Sequence, residues 1–309
     1  MQALQVEHIN KCYSDKVVAL KNINFSVEKG EIFGLVGPDG AGKTTLFNIM
    51  TTLLFPDSGK ITLLDMDVET DYLKVRRMIG YLPGVFSLYP DLTVEENLIF
   101  FATMYKSSLR ENMPLIRPIW KQLLPFKTRR AGKLSGGMKQ KLALCCALIH
   151  KPDILFLDEP TTGVDPVSRK EFWEILKNIQ RKGITVVVST PYMDEATRCD
   201  RIALIQEGEI IKIETPAKTI EEFKGELYTV QTGSIFELLH IMKECPLKCN
   251  YYPYGEYLHV VFYEKNKEKI LEKYKIFLDE KKQNYGEIKK ITPSIEDCFI
   301  ELMETQRDV

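Results

Sequence analysis

The segment Gly37-Pro38-Asp39-Gly40-Ala41-Gly42-Lys43-Thr44, followed by Thr45, constrains this chain more than any other. It fits G-x-x-x-x-G-K-[ST] and has the flanks that pattern requires. Before it runs the apolar stretch Ile32-Phe33-Gly34-Leu35-Val36, which reads as a buried strand, and after it Thr44–Leu54 reads as an apolar helix. Glycines there let backbone N–H groups turn inward around phosphate oxygens, and the helix N-terminus adds positive partial charge. In such a loop Lys43 is expected to reach the terminal phosphates and Thr44 to hold Mg²⁺. Taken alone, the segment could also be a glycine-rich strand-to-helix turn with no ligand.

Its surroundings alternate strands with helices. Val17–Val36 passes from alternating to continuous apolar, and Ile79–Leu82, Ile154–Leu157 and Thr185–Ser189 are further buried-strand candidates. Helices lie between them, notably Pro166–Lys182, and Arg201–Ile213 reads as a hairpin turning at Glu207-Gly208. This pattern predicts an α/β fold of the P-loop NTPase type, with a mainly parallel sheet covered on both faces. Residues from about 93 to 150 show no good strand and are expected to form an inserted helical subdomain. Composition shifts after Pro216, and the stretch 221–226 reads as a linker. Beyond it the order β-α-β-β-α-β, with a last helix over Ser294–Met303, predicts a small α+β ferredoxin-like C-terminal domain. The expected domains are therefore 1–220 and 221–309, in line with a length of 309 residues.

Composition excludes several function classes. A net charge of −1 offers no general field to recruit nucleic acid, so no nucleic-acid partner is expected. No apolar run approaches the ~18 residues of a membrane span, and the N-terminus lacks the basic and apolar regions of a signal peptide. A cytosolic chain is expected. The seven cysteines include no Cys-x-x-Cys pair and are expected to be reduced and mostly buried. A metal site at Cys245 and Cys249 is the alternative, although His240 and His259 supply no recognisable ligand spacing.

Two further motifs carry chemistry. Ile154–Leu157 ends in Asp158-Glu159. Buried carboxylates are costly unless paired or metal-bound, so Asp158 fits an Mg²⁺-side acid and Glu159 a general base that polarises an attacking water. Leu134-Ser135-Gly136-Gly137-Met138-Lys139-Gln140 opens a helix with a good capping serine and two glycines that leave the N-terminus open to an anion.

With these motifs in this order the chain resembles the ABC ATPase family over about residues 2–216. Leu134–Gln140 matches the family signature, and Gly163-Val164-Asp165-Pro166 resembles its D-loop, with Asp165 at the centre. Tyr13 resembles the aromatic that stacks on adenine, with Val18 beside the ring. Phe86–Leu98 and Thr292–Phe299 resemble the ATPases of ABC-2-type exporters, a group that includes drug-resistance and sodium-efflux exporters. The resemblance implies ATP hydrolysis by a pair of ATPases, identical or not, stacked head to tail. ATP would lie between Gly37–Thr45 of one subunit and the Ser135-Gly136-Gly137 helix start of the other. Closure and reopening would drive a membrane-spanning ABC-2-type permease, which holds the subunit on the inner face of the cell membrane. The loop 84–90 would lie beneath that permease.

Two positions depart from the family pattern. Gly84 stands where the family has glutamine, and no glutamine occurs between Gln5 and Gln122. Pro191 stands where it has histidine, and the only histidines are His8, His150, His240 and His259. Locally, Thr190 is expected to cap the next helix with Pro191 at its first position, and Pro83-Gly84 to make a turn. Losing one charge-stabilising donor costs about 10²–10³ in rate, which would take a turnover of ~1–10 s⁻¹ to ~10⁻² s⁻¹ or less. The expectation is an own ATP site that binds but turns over slowly, in a subunit that completes the site of a different ATPase. A purely regulatory nucleotide-binding module is the alternative. A soluble ATPase acting on ribosomes or DNA would need a second cassette or a long coiled coil, and this chain has neither.

Overall fold

Side chains along Gln2–Cys12 and Val18–Glu28 alternate between core and solvent, and the two segments pair as antiparallel strands β1 and β2. The next strand, β3 (Ile32–Val36), is buried at every position, as a strand covered on both faces must be. This difference sorts them into separate sheets, so the apolar run 17–36 contributes to two layers rather than one. The computed structural model describes residues 1–14, 17–263, 267–281 and 283–307.

Helix α1 (Lys43–Met50) follows β3. It ends before the expected Leu54, because Thr52 adopts a left-handed φ of 65° and turns Leu53 into solvent. Strands β4 (Ser58–Leu63) and β5 (Met66–Asp67) extend the antiparallel sheet to the order β2-β1-β4-β5. Then come α2 (Tyr72–Met78), β6 (Ile79–Leu82) and three helices, α3 (Val94–Met104), α4 (Leu109–Leu123) and α5 (Gly136–Leu148). Within 93–150 a single bridge, Thr93 to Arg130, is the only β pairing among the described residues. The start of α3 is fixed by a capping box in which Thr93 Oγ1 accepts the Glu96 N–H and the Glu96 carboxylate accepts the Thr93 N–H.

The chain returns through β7 (Ile154–Asp158), α6 (Pro166–Arg181), β8 (Thr185–Thr190), α7 (Met193–Ala196), β9 (Arg201–Gln206) and β10 (Glu209–Glu214). The second sheet has the order β10-β9-β3-β8-β7-β6. All its neighbours are parallel except the β9–β10 hairpin. β3 and β7 therefore end at the same edge, and the phosphate loop and the two carboxylates share that edge. Phe33, Phe47, Phe156 and Val187 belong to one core cluster beneath them.

Contacts divide the chain into the units Met1–Ala217 and Lys218–Val309. After α8 (Pro216–Glu221), the second unit runs β11 (Glu226–Thr232), α9 (Ile235–Met242), β12 (Cys249–Tyr254), β13 (Tyr257–Phe262), α10 (Lys267–Glu280), β14 (Tyr285–Lys290) and α11 (Ile295–Arg307). Its sheet order, β12-β13-β11-β14 with every pair antiparallel, is the ferredoxin-like order the sequence predicts. Tyr252 and His259 both bond Asp297 Oδ1, at 2.7 and 2.8 Å, and so fasten α11 to the sheet. Among the described residues no helix is long and apolar enough to cross a membrane.

Candidate functional site

The loop between β3 and α1 closes tightly because two of its residues lack a Cβ. A Cβ at Gly37 would stand 2.1 Å from the Ile205 carbonyl oxygen, and one at Gly42, whose φ is 101°, 2.5 Å from that of Ala19. Lys43 opens α1 and is almost wholly enclosed. Its ammonium donates to Gly37 O and Pro38 O at 2.8 Å each and pairs with Glu159 Oε1 at 3.2 Å. A cation therefore sits inside the curl of the loop at a helix N-terminus, an arrangement suited to an anion with several charges. Gly40 and Asp39 face solvent, so the Asp39 carboxylate lies outside the curl. Tyr13 OH is 3.2 Å from Thr45 Oγ1, and Tyr13 and Val18 leave apolar surface open beside the loop.

Across the edge of the sheet stand the two acids. Asp158 is 2% exposed. Burial pushes its carboxyl above the ordinary aspartate range, against hydrogen bonds from Ser189 and Thr44. Glu159 has a left-handed φ of 48°, and its N–H bonds both Ser189 O at 3.2 Å and Ser189 Oγ at 2.9 Å. The same hydroxyl donates to Asp158 Oδ1 at 2.6 Å. Ser189 thus sets both acids in place, a role invisible in the sequence, where it is only the end of a β-strand. Removing the hydroxyl in Ser189→Ala leaves a buried carboxylate short of a donor, which costs about 1–3 kcal/mol. The expected result is a lowered Tm and an ATPase rate reduced about ten- to hundredfold by misplacement of the acids. Magnesium-free nucleotide binding should be unchanged and Ser189→Thr should retain activity, as denaturation and steady-state assays would check.

Gly84 borders these acids, and Pro191 follows β8 two residues after Ser189. A Cβ at Gly84 would stand 3.3 Å from Asp158 O and 3.9 Å from Asp158 Oδ2. A longer residue there would reach the acids, whereas glycine leaves the space open. The expectation that Thr190 caps a helix beginning at Pro191 is not met. Thr190 ends β8, and α7 begins at Met193 with Tyr192 at its N-cap. The cause is Glu195, which is 1% exposed and needs donors. Thr190 Oγ1 at 2.6 Å and Thr161 Oγ1 at 3.0 Å supply them, while Arg169 Nε lies 3.7 Å away. The Thr190 hydroxyl is committed to Glu195 and also accepts the Tyr192 N–H, which holds Pro191 outside the helix.

The signature segment forms a second group. Ser135 Oγ accepts the Met138 N–H at the start of α5, and Leu134 anchors the turn in the core. Gly136 and Gly137 lie against the D-loop, since added Cβ atoms would stand 3.2 Å from Gly163 O and 3.1 Å from Ser168. Asp165 caps α6 by accepting the Val167 and Ser168 N–H groups at 3.1 and 3.0 Å, and those bonds hold its carboxyl below the ordinary range. Sequence reasoning missed Asn97, a fully buried amide on α3 that bonds both Tyr89 N and Tyr89 O and pins the loop after Gly84. That loop also accepts the Gly132 N–H at Pro90 O, so it is tied to the segment leading into the signature.

The ABC transporter family matches residues 20–162. Over 215 residues the chain is 45% identical to the probable multidrug ABC transporter ATP-binding protein YbhF of Escherichia coli (strain K12), covering 69% of this chain but only 37% of that protein. Over 225 residues it is 39% identical to the Nod factor export ATP-binding protein I of Burkholderia orbicola (strain AU 1054), covering 72% of this chain and 74% of that one. Among solved structures, the dimeric post-hydrolysis state of the ATP-binding cassette MJ0796, bound to ADP and Pi, is similar at a TM-score of 0.62 and 28% identity. That match covers 69% of this chain and 98% of the cassette.

Proposed function

The chain belongs to the ATP-binding subunits of ABC transporters, and from that premise we propose that it is the slower half of an unequal ATPase pair in an ABC-2-type exporter. One observation carries this reading. Lys43 pairs with Glu159 and Ser189 holds Asp158 beside the glycine-rich loop, while Gly84, 3.9 Å from Asp158 Oδ2 as measured from an added Cβ, offers no side chain; Gly84 and Pro191 stand where the resemblance implies glutamine and histidine. Binding machinery is retained and rate machinery is thinned.

ATP would lie with its phosphates against Gly37–Thr45 and its base on Tyr13. Thr44 and Asp158 offer hard oxygen donors beside the loop, which fits Mg²⁺. These residues would hold the ion, which would neutralise phosphate charge. Glu159 is the group positioned to orient water as general base, and Lys43 to bear on the terminal phosphate. The exposed Ser135–Gly137 helix start would face the nucleotide of a partner ATPase that keeps the glutamine and histidine, with Asp165 at the junction. The names of the relatives, multidrug transport and Nod factor export, support export.

A groove of about 470 Å³ beside the Gly84 loop, lined by Leu53, Leu82, Pro83, Leu88, Phe101 and Tyr105, suits an apolar helix of the membrane partner. That contact would place the chain on the inner face of the membrane. The second unit, Lys218–Val309, would serve as an accessory domain for dimer contact. Single-turnover hydrolysis by the purified chain tests the central claim. Saturable ATP binding with turnover near ~10⁻² s⁻¹ is expected, rising when a complete partner ATPase is added. Several turnovers per second by the chain alone would overturn it.

A further inference from the structure

Glu195 takes no part in the chemistry described above, yet its carboxylate is almost wholly buried close to where that chemistry would occur. Along the chain it reads as an ordinary acid in the first turn of a short helix. A carboxylate is costly to bury unless donors meet its oxygens, and here the donors come from separate stretches of chain. Oε2 accepts Thr190 Oγ1 at 2.6 Å and Thr161 Oγ1 at 3.0 Å, and both threonines are buried. Oε1 faces Arg169 Nε at 3.7 Å, and neither of these two buried atoms has a hydrogen bond. The Arg169 guanidinium lies over the Tyr192 ring, 4.2 Å from its centre.

Each of these residues adjoins a motif. Thr190 follows Ser189, which bonds both acids, and its carbonyl accepts the N–H of Gly37, the first residue of the phosphate loop, at 3.3 Å. Thr161 comes two residues after Glu159, and its carbonyl accepts the Val164 N–H inside the D-loop at 3.1 Å. The next residue, Thr162, turns its hydroxyl to Glu159 Oε2 at 3.4 Å. Arg169 lies one turn into α6, and its N–H donates to Asp165 O at 2.9 Å. Gly163 O in turn lies 3.2 Å from where a Cβ of Gly136 would stand, against the signature helix. One carboxylate therefore joins the end of β8, the turn after the acids and the head of α6.

We propose that Glu195 is a positioning residue for ATP hydrolysis, holding Glu159 and the D-loop in a fixed relation to the end of β8. Its carboxylate draws Thr161 toward Thr190, and Thr161 sets the turn between Glu159 and Asp165. Glu159 has a left-handed φ of 48°, which a non-glycine residue keeps only when its surroundings impose it. The Ser189 bonds restrain that residue from one side and the Thr161–Glu195 bond restrains the turn that leaves it. Loss of the second restraint lets Glu159 and the D-loop drift together, and a displacement of about 1 Å at a group that orients water costs about 10²-fold in rate. This role needs only that the chain hydrolyse ATP, whether slowly or fast, because its effect is a ratio of rates.

Single-turnover hydrolysis and magnesium-free ATP affinity are measured for the full native chain and three variants, well below the Tm of each. Glu195→Ala is expected to be about 10- to 10²-fold slower with its ATP affinity unchanged. Glu195→Gln keeps an oxygen for both hydroxyls and loses only the charge opposite Arg169, so it should retain most of the native rate. Thr161→Val removes one donor at nearly equal volume and should be slowed about tenfold, again without loss of affinity. It decides the matter if the alanine variant fails to fold. A native rate in Glu195→Ala or in Thr161→Val, with only the Tm lowered, would overturn the role, since a residue that serves stability alone leaves the rate of the folded chain intact. A glutamine variant as slow as the alanine variant, or a loss of ATP affinity as large as the loss of rate, would overturn it as well.

Discussion

The double variant Gly84→Gln/Pro191→His is expected to hydrolyse ATP at least about 10²-fold faster than the native chain, because each change restores a donor near developing charge. The geometry admits the glutamine. Its Cβ would approach Asp158 O to 3.3 Å, a crowding of a few tenths of an ångström, and residue 84 lies on an exposed loop that can yield by that much. The onward path of the side chain passes Asp158 Oδ2, the neighbourhood where water and phosphate would meet. At position 191 the histidine regains an N–H outside any helix, and the Thr190–Glu195 bond holding the segment does not depend on the proline. The measurement is steady-state turnover at saturating ATP and Mg²⁺, with Glu159→Gln in the same background as the control. A double variant no faster than the native chain would mean that another step limits the rate.

Lys43→Ala is expected to weaken ATP binding by about 10² or more. Hydrogen bonds from a charged donor contribute roughly 1.5–3 kcal/mol each, and every 1.4 kcal/mol is about tenfold in affinity. The loss falls on the terminal phosphates, so ATP should suffer more than AMP, and a fluorescent-nucleotide titration separates the two. Equal affinities for native and variant protein would remove Lys43 from the phosphate site. The variant should also lose the steep rise of Tm with ATP concentration, since a ligand stabilises only the state it binds.

Features set by short stretches of chain were readable before any coordinates. The phosphate loop needs only neighbouring glycines and a lysine, and the two acids end an apolar run whose burial is plain from composition. Asp165 and Ser135 cap their helices through N–H groups two or three residues away. Residues whose roles depend on distant partners were opaque. Ser189 acts on acids 30 and 31 positions away. Thr190 looks like a cap until the buried Glu195 is seen to accept its hydroxyl, together with that of Thr161. Asn97 follows Glu95 and Glu96 on α3 and reads as one more surface polar residue, and only the folded loop reveals what its amide holds. The antiparallel layer is likewise faint in the sequence, because β4 and β5 are short and much of their surface is open.

The ion pair between Lys43 and Glu159 has a consequence of its own. One ammonium serves two claimants, the phosphates of an arriving nucleotide and the carboxylate that would activate water. The 3.2 Å ion pair tethers that carboxylate to the ammonium. A nucleotide whose phosphates compete for the ammonium would loosen that tether and free the acid as a bond arrives to be cut. The pair would then act as an interlock, arming the base only when the nucleotide is bound.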